Sequence, residues 1–385
     1  THVHVNEPGR TEWEGFATAT RAAAAGGVTT VIDMPLNSIP PTTSLAALAA
    51  KRDAASGQIA VDVGFWGGII GADARSLDDL AALHDAGVFG FKAFLAPSGV
   101  DEFPHVPLDV LAAAARHTAR MGALPVVHAE SPSVLAGAPE AAGRSFASWL
   151  ASRPPAAETE AVASLAALAG ATGARLHVLH LSAAQALDDV LAAREAGLPL
   201  TAETCPHYLT FTAEEVPDGA TEFKCAPPIR ERANLERLWD GLAAGLLAGV
   251  VSDHSPSTPD LKAVDTGDFG AAWGGISSLQ LGLSAVWTQA RRRGHGLADL
   301  ARWMCTGPAD LVGFAAKGRI APGADADLVV FDPDASFVVE PALLRHRHPL
   351  TPYAGRRLDG VVRATYLRGM RVDGDRPPRG RLLAR

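Results

Sequence analysis

The sequence predicts an α/β chain folded as a (β/α)8 barrel with a small β-sandwich appendage. Three observations predict it: short β-branched runs recur, Ala/Leu-rich stretches of helical spacing separate them, and polar residues gather where the runs end. The runs occupy residues 28–34, 61–66, 90–95, 125–128, 175–181, 200–204 and 249–252. Helical spacing marks 11–25, 77–86, 108–121, 158–171 and 183–196 between them. Strands alternating with helices imply parallel βα units. Thr1-His2-Val3-His4 reads as the end of one more strand, which brings the count to about eight units and favours a closed barrel over an open sheet. That reading leads us to expect that the given chain lacks an N-terminal segment, including part of the appendage. From about residue 317 the texture changes to Gly/Pro turns and short β runs at 328–331, 361–367 and 369–372. The expected division is therefore a barrel over 1–316 and a β-rich appendage over 317–385.

Composition narrows the function classes. A hydrophobic fraction of 48% over 385 residues suffices for a large core. Lys plus Arg total 34 against 42 Asp plus Glu, a net charge of −8, so no basic field invites nucleic acid or an anionic membrane. A small, weakly charged substrate suits this balance better. Cys205, Cys225 and Cys305 are scattered and odd in number, which points to a reduced, cytoplasmic setting with no disulfide framework and no thiolate zinc site. No apolar run reaches the length of a membrane span.

In a barrel of this kind the chemistry lies on loops after the strands. His2, His4, Asn37, Lys92, His128, His180, Glu203 and Asp253 fall in such places. His2 and His4, at i and i+2 of a strand, share a face and can chelate one ion. His128 and His180 each end an apolar run, where a hydrogen-bonded core histidine is the competing reading; His177, three residues before His180, faces the other way and reads as structural. Asp253 follows a buried run, as a helix-capping Asp also can. Four histidines and an aspartate at successive strand ends match the ligands preferred by Zn²⁺ and similar ions. Lys92 sits amid apolar residues, where an unpaired ammonium tends to lose its proton. Its neutral amine could react with CO₂ to give a carbamate that bridges two metal ions; a lysine reaching along a sheet edge to solvent is the plain alternative.

Together these residues make the chain similar to the cyclic amidohydrolases of the amidohydrolase superfamily, and within it to the allantoinases. The likeness spans essentially the whole chain. It is carried by His2-Val-His-Val-Asn-Glu-Pro-Gly-Arg, Asp33-Met-Pro-Leu-Asn-Ser, Phe91-Lys-Ala-Phe-Leu, Ser98-Gly-Val-Asp-Glu-Phe-Pro, Glu203-Thr-Cys-Pro-His-Tyr-Leu, Lys224-Cys-Ala-Pro-Pro-Ile-Arg and Ser252-Asp-His-Ser-Pro. One departure is Ala93, where many allantoinases have Cys. The resemblance implies two divalent ions, zinc first among Zn, Mn, Co and Fe, held by His2, His4, a carboxylated Lys92 bridging both, His128, His180 and Asp253.

Asn6 separates sister activities. Dihydroorotases place Arg there to bind a substrate carboxylate, whereas the ureido group of allantoin suits a neutral amide. Hydantoinases and dihydropyrimidinases usually have a different opening and a tyrosine soon after the lysine, where this chain has Phe94 and Leu95. The resemblance thus implies hydrolysis of the hydantoin ring amide of allantoin to allantoate. Water acidified between the ions would attack, with Asp253 as proton shuttle. Asn6, Asn37, Ser255 and the backbone at Gly274 and Gly275 would hold the ureido and imide groups, and His254 would orient its neighbours. A homotetramer is also implied. The alternatives are a hydantoinase or dihydropyrimidinase and, of another class, a non-catalytic scaffold, which six filled ligand positions disfavour.

Overall fold

A computed structural model describes residues 1–372 and 377–385. Its centre is a ring of parallel strands: β1 (Thr30–Asp33), β2 (Asp62–Phe65), β3 (Gly67–Gly68), β4 (Phe91–Phe94), β5 (Pro125–His128), β6 (Leu176–Val178), β7 (Leu200–Thr204) and β8 (Gly249–Val250). β2 and β3 are one stretch of chain in two partnerships, since β2 pairs with β1 and β3 with β4. From β3 the ladder passes in order to β8. Val3 closes it, bridging to Asp33 on one side and to His254 on the other. The opening segment therefore fills the eighth position, as the strand count implied.

β2, β4 and β5 are buried along both faces, as in parallel sheets covered by helices. Each is followed by a helix whose apolar stripe packs outward of the ring. The helix Leu108–Met121, for instance, buries Leu111, Ala114, Ala115 and Thr118 and stops at Gly122, whose φ of 68° is the left-handed ending that glycine accepts without strain. β5, β7 and this helix have the bounds read from sequence. β6 and β8 stop earlier than expected. His180 (φ 37°) and Asp253 (φ 42°) lie beyond them in left-handed conformations, which no extended ladder can contain. Both residues thus project from loops.

After the barrel, β9 (Leu328–Val338), β10 (Arg357–Leu367) and β11 (Met370–Val372) form an antiparallel sheet. It rests on the helix Gly282–Arg292, where Ser284 Oγ donates to Gly360 O at 2.7 Å and Trp287 Nε1 to Pro333 O at 3.0 Å. Gly360 is required at that contact: a Cβ there would lie 2.2 Å from Phe331 and 2.6 Å from Trp287. The last residues return to the barrel, with Arg381 N donating to Asp62 Oδ1 at 2.8 Å and Leu383 N to Val63 O at 2.8 Å.

A buried ion pair holds the opening segment in place. Asp33, fully buried, accepts from Val5 N through Oδ1 at 2.8 Å and from Lys51 Nζ through Oδ2 at 2.6 Å, while Lys51 also donates to Met34 O at 2.9 Å. Removing one partner leaves the other charge uncompensated. We expect Lys51→Met to cost about 3–5 kcal/mol in denaturant unfolding; a loss below about 1 kcal/mol would show that the pair does not anchor this segment.

Candidate metal centre

Two groups of imidazoles meet inside the C-terminal end of the ring. In the first, His2 Nδ1 lies 3.0 Å from Glu203 Oε1, so the ring donates there and Nε2 keeps its lone pair. That lone pair faces Asp253 Oδ1 at 3.2 Å, and His4 Nε2 stands 3.5 Å from the same oxygen. In the second, His128 Nε2 is 2.6 Å from Glu130 Oε2, which turns Nδ1 toward His180 Nε2 at 3.1 Å. Lone pairs converging in a dry interior repel unless a cation stands among them. His2 Nε2, His4 Nδ1 and His180 Nδ1 are in addition buried with no hydrogen-bond partner among the described residues. Ligand atoms of His2, His180 and Asp253 lie within 4.8 Å of one another. The donor set therefore fits divalent ions of the zinc type.

Burial is the main cause that lowers the basicity of His2, His4, His128 and His180, and the charge of Lys92 adds to it at all four, so Lys92 belongs to both groups electrostatically. It is buried, with Nζ 4.6 Å from the centre of the Phe94 ring. Burial lowers its ammonium to about 8, against partial support from Asp253, Glu203 and Cys205. A neutral amine is thus accessible near physiological pH, as carbamate formation requires.

Carboxylates behind the imidazoles set their orientation. Burial pushes Glu203 up, but hydrogen bonds from His177 and His2 outweigh it and bring the carboxyl down to about 2. Burial likewise works against Asp253, yet His2, His4 and His180 hold it well below the usual range. The loop bearing His180 is pinned from two sides. Ser182 N and Ala183 N donate to Glu158, which pairs with Arg230 at 2.6 Å, and Ala184 N donates to Asn234 Oδ1 at 2.7 Å.

The expected substrate contacts fall around this centre unevenly. Asn6 donates through Nδ2 to Pro256 O at 3.2 Å and leaves Oδ1 buried and unpaired. Ser255 Oγ donates to Asp253 O at 3.0 Å, and its N to Ile276 O at 3.1 Å, which seats residues 274–276 alongside. A Cβ at Gly274 would make only an ordinary contact, 4.0 Å from Cys225 Cα, while one at Gly275 would lie 2.0 Å from Ser255 O. Asn37 also has a buried, unpaired Oδ1, but its connection runs through Arg10, which donates to Asn37 O at 2.8 Å. Arg10 pairs with Glu102 and lies 5.0 Å over Trp13, whose ring meets Trp273 edge-on at 5.2 Å. His254 is held by Glu14 at 3.2 Å and by Ser278 N at 3.1 Å. A separate hollow of about 370 Å³, lined by Leu124, Arg175, Leu198 and Leu246 among others, opens at the opposite end of the strands and holds none of these groups.

The profile of the Amidohydrolase family matches residues 1–372. The chain belongs to that family. It is 58% identical to the allantoinase of Streptomyces avermitilis, covering 100% of this chain and 86% of that protein. It is 46% identical to the allantoinase of Saccharomyces cerevisiae, over 97% of this chain and 81% of that one. An L-hydantoinase (dihydropyrimidinase) from Arthrobacter aurescens superimposes with a TM-score of 0.91 at 30% identity, covering 100% of this chain and 87% of its own.

Several residues that shape this amidohydrolase site were given no metal or substrate role from sequence. Glu203 stood among the strand-end polar residues, and a buried acid in a strand already demanded a partner. Glu130 repeats the i, i+2 spacing after His128 and so shares its direction. His177, read as structural, contacts Glu203 at 3.1 Å and so acts on His2 from behind. Glu14, far from His254 in sequence, gave no signal.

The buried imidazoles make stability depend on pH. Burial lowers His4, His207 and His346 each to about 4. In the unfolded chain they take up protons near the ordinary 6.5, so below that pH the unfolded state binds more protons than the folded one. Stability therefore falls as pH drops from about 6.5 toward about 4. Chelator-treated protein should lose Tm across this window, and metal-loaded protein should release its ions on the same descent because protons compete for the ligands. A Tm indifferent to pH there would contradict the arrangement.

Proposed function

We propose that this amidohydrolase is an allantoinase: it opens the hydantoin ring of allantoin by hydrolysing a ring amide, giving allantoate. One observation carries the reading, namely that the whole chain, with its inward-facing imidazoles, matches proteins named allantoinase. Asn6 supports it, because a neutral amide with a free carbonyl oxygen can accept an N–H of a ureido group and has no charge to offer a carboxylate.

His2, His4, His128, His180, Asp253 and a carboxylated Lys92 would hold two divalent ions, zinc in this proposal. When bound, such ions acidify water and polarise the amide carbonyl. Asp253, kept ionised by its imidazole neighbours, takes a proton from the attacking water at its carboxylate and delivers it to the departing ring nitrogen. The C–N bond breaks, the carbonyl carbon gains the hydroxyl oxygen and the nitrogen gains the proton. Asn6 and Asn37 accept from the substrate's N–H groups, while Ser255 and the backbone at Gly274 border its imide face. Arg10, Trp13 and Trp273 shelter the chamber from bulk water. A homotetramer, a cytoplasmic setting and a place in purine breakdown belong to the same proposal. Among the described residues no helix is long and apolar enough to cross a membrane.

Assaying allantoin, hydantoin and dihydrouracil side by side tests the assignment: allantoin should turn over fastest, and a preference for dihydrouracil would move the chain to the dihydropyrimidinases. Asp253→Asn should retain much of its metal but lose about 10²–10⁴-fold in kcat. Lys92→Ala should lose metal and regain part of its activity with short carboxylic acids, which can stand where the carbamate would. A fully active, metal-loaded Lys92→Ala would remove the carbamate from the mechanism.

A further inference from the structure

The turn after β7 brings a second donor set against Asp253. Cys205 Sγ, a ring nitrogen of His207 and a carboxylate oxygen of Asp253 lie within 4.8 Å of one another, all three residues buried. His207 is fully buried, and among the described residues neither of its nitrogens has a hydrogen-bond partner. A neutral imidazole ordinarily satisfies at least its N–H, so a ring left with both nitrogens free in a dry interior is destabilising. Its ring meets Tyr208 edge-on at 4.2 Å, a contact that uses neither lone pair nor proton. The ring is therefore poised toward something that binds nitrogen.

We propose that Cys205, His207 and Asp253 form a further metal site, selective for thiophilic divalent cations such as Cd²⁺, Hg²⁺ or surplus Zn²⁺, whose occupation withdraws Asp253 from the reaction and stops turnover. Sulfur and imidazole ligands favour soft and borderline ions over Mg²⁺, Ca²⁺ or Mn²⁺. Zinc bonds of about 2.0–2.3 Å place two tetrahedral ligands about 3.5 Å apart, so the three groups need draw together by only about 1 Å. His207 gives up no hydrogen bond in doing so. Burial and the nearby charges of Asp253 and Glu203 hold the Cys205 thiol well above its usual range, so it is protonated before the ion arrives. Binding forms a sulfur–metal bond and releases that proton to solvent.

This site differs from the imidazole centre in its ligands. His2 and His128 are each backed by a carboxylate, whereas Cys205 and His207 have none, and Asp253 alone is common to both. The inhibition rests on the part given to Asp253 under the proposed function; the binding does not.

The test is a titration of the enzyme, carrying its resident metals, with CdCl₂, following the ultraviolet sulfur-to-cadmium charge-transfer band, the cadmium bound, and allantoin turnover. The expected result is one added cadmium with the band and loss of turnover. Cys205→Ser should lack the band, need at least about tenfold more cadmium for inhibition, and match the parent enzyme without cadmium. His207→Gln, which keeps the thiol, should show the band only at similarly raised cadmium, and Cys225→Ser should retain it unchanged. A band that persists in Cys205→Ser, or inhibition by displacement of the resident ions with no band, would overturn the proposal. If the enzyme shows the band but does not hydrolyse allantoin, the site stands and the functional reading fails.

Discussion

Val3 is the residue through which the barrel closes, and the chemistry depends on that closure. Val3 O accepts from Met34 N at 2.8 Å, and the neighbouring His4 N donates to His254 O at 2.8 Å, so the opening segment is tied to β1 and to the loop after β8. Residues on either side of Val3 share the opposite face, which aims both His2 and His4 into the ring. Because the partner on one flank is His254, Asp253 arrives beside them. A shift of one residue in this register would turn both imidazoles toward the helices and leave Asp253 alone. The buried pair of Asp33 and Lys51, through its hold on Val5 N, resists such a shift.

Around that closure the molecule collects charge in a dry interior and compensates it by pairing. Glu203 faces His2 and His177, Glu130 faces His128 and Arg153, Glu14 faces His254, and Glu158 faces Arg230. Carboxylates in these positions fix each ring's tautomer and direction, so nitrogen lone pairs point at one another across the chamber. Asn6, Asn37, His180 and Asp253 all hold left-handed backbone, which costs energy for residues with a Cβ. Such conformations persist where hydrogen bonds over-determine them, as Glu158 and Asn234 do beside His180. Local strain is thus concentrated where side chains must leave the direction of their strands and reach inward.

Asp253 stands where several demands meet. It lies against His2 and His4, within reach of His180, and against Cys205 and His207. A carboxylate so placed can serve a proton transfer only while no other cation claims it. Arg10 links Asn37 to Glu102, and Trp13, under Arg10, meets Trp273 edge-on.

The alternation of β-branched runs with Ala/Leu helices was enough to read the barrel, because parallel strands buried on both faces and helices with one apolar stripe each leave a local pattern. The burial of His2, His4, Lys92, His128 and His180 was legible for a related reason: a histidine or lysine that ends or interrupts an apolar run has few places to go except inward. Where β6 and β8 end was not legible, since the left-handed turns at His180 and Asp253 are imposed by Glu158, Asn234 and the closing bridge to Val3, all distant along the chain. Glu14 acquired its role the same way, by meeting His254 across 240 residues. Cys205 shows the limit most plainly. Its spacing in sequence argued against a thiolate site, and only folding brought Asp253 to it, because short-range pattern reports which residues are buried while the convergence of side chains from different strands is decided by how the ring closes.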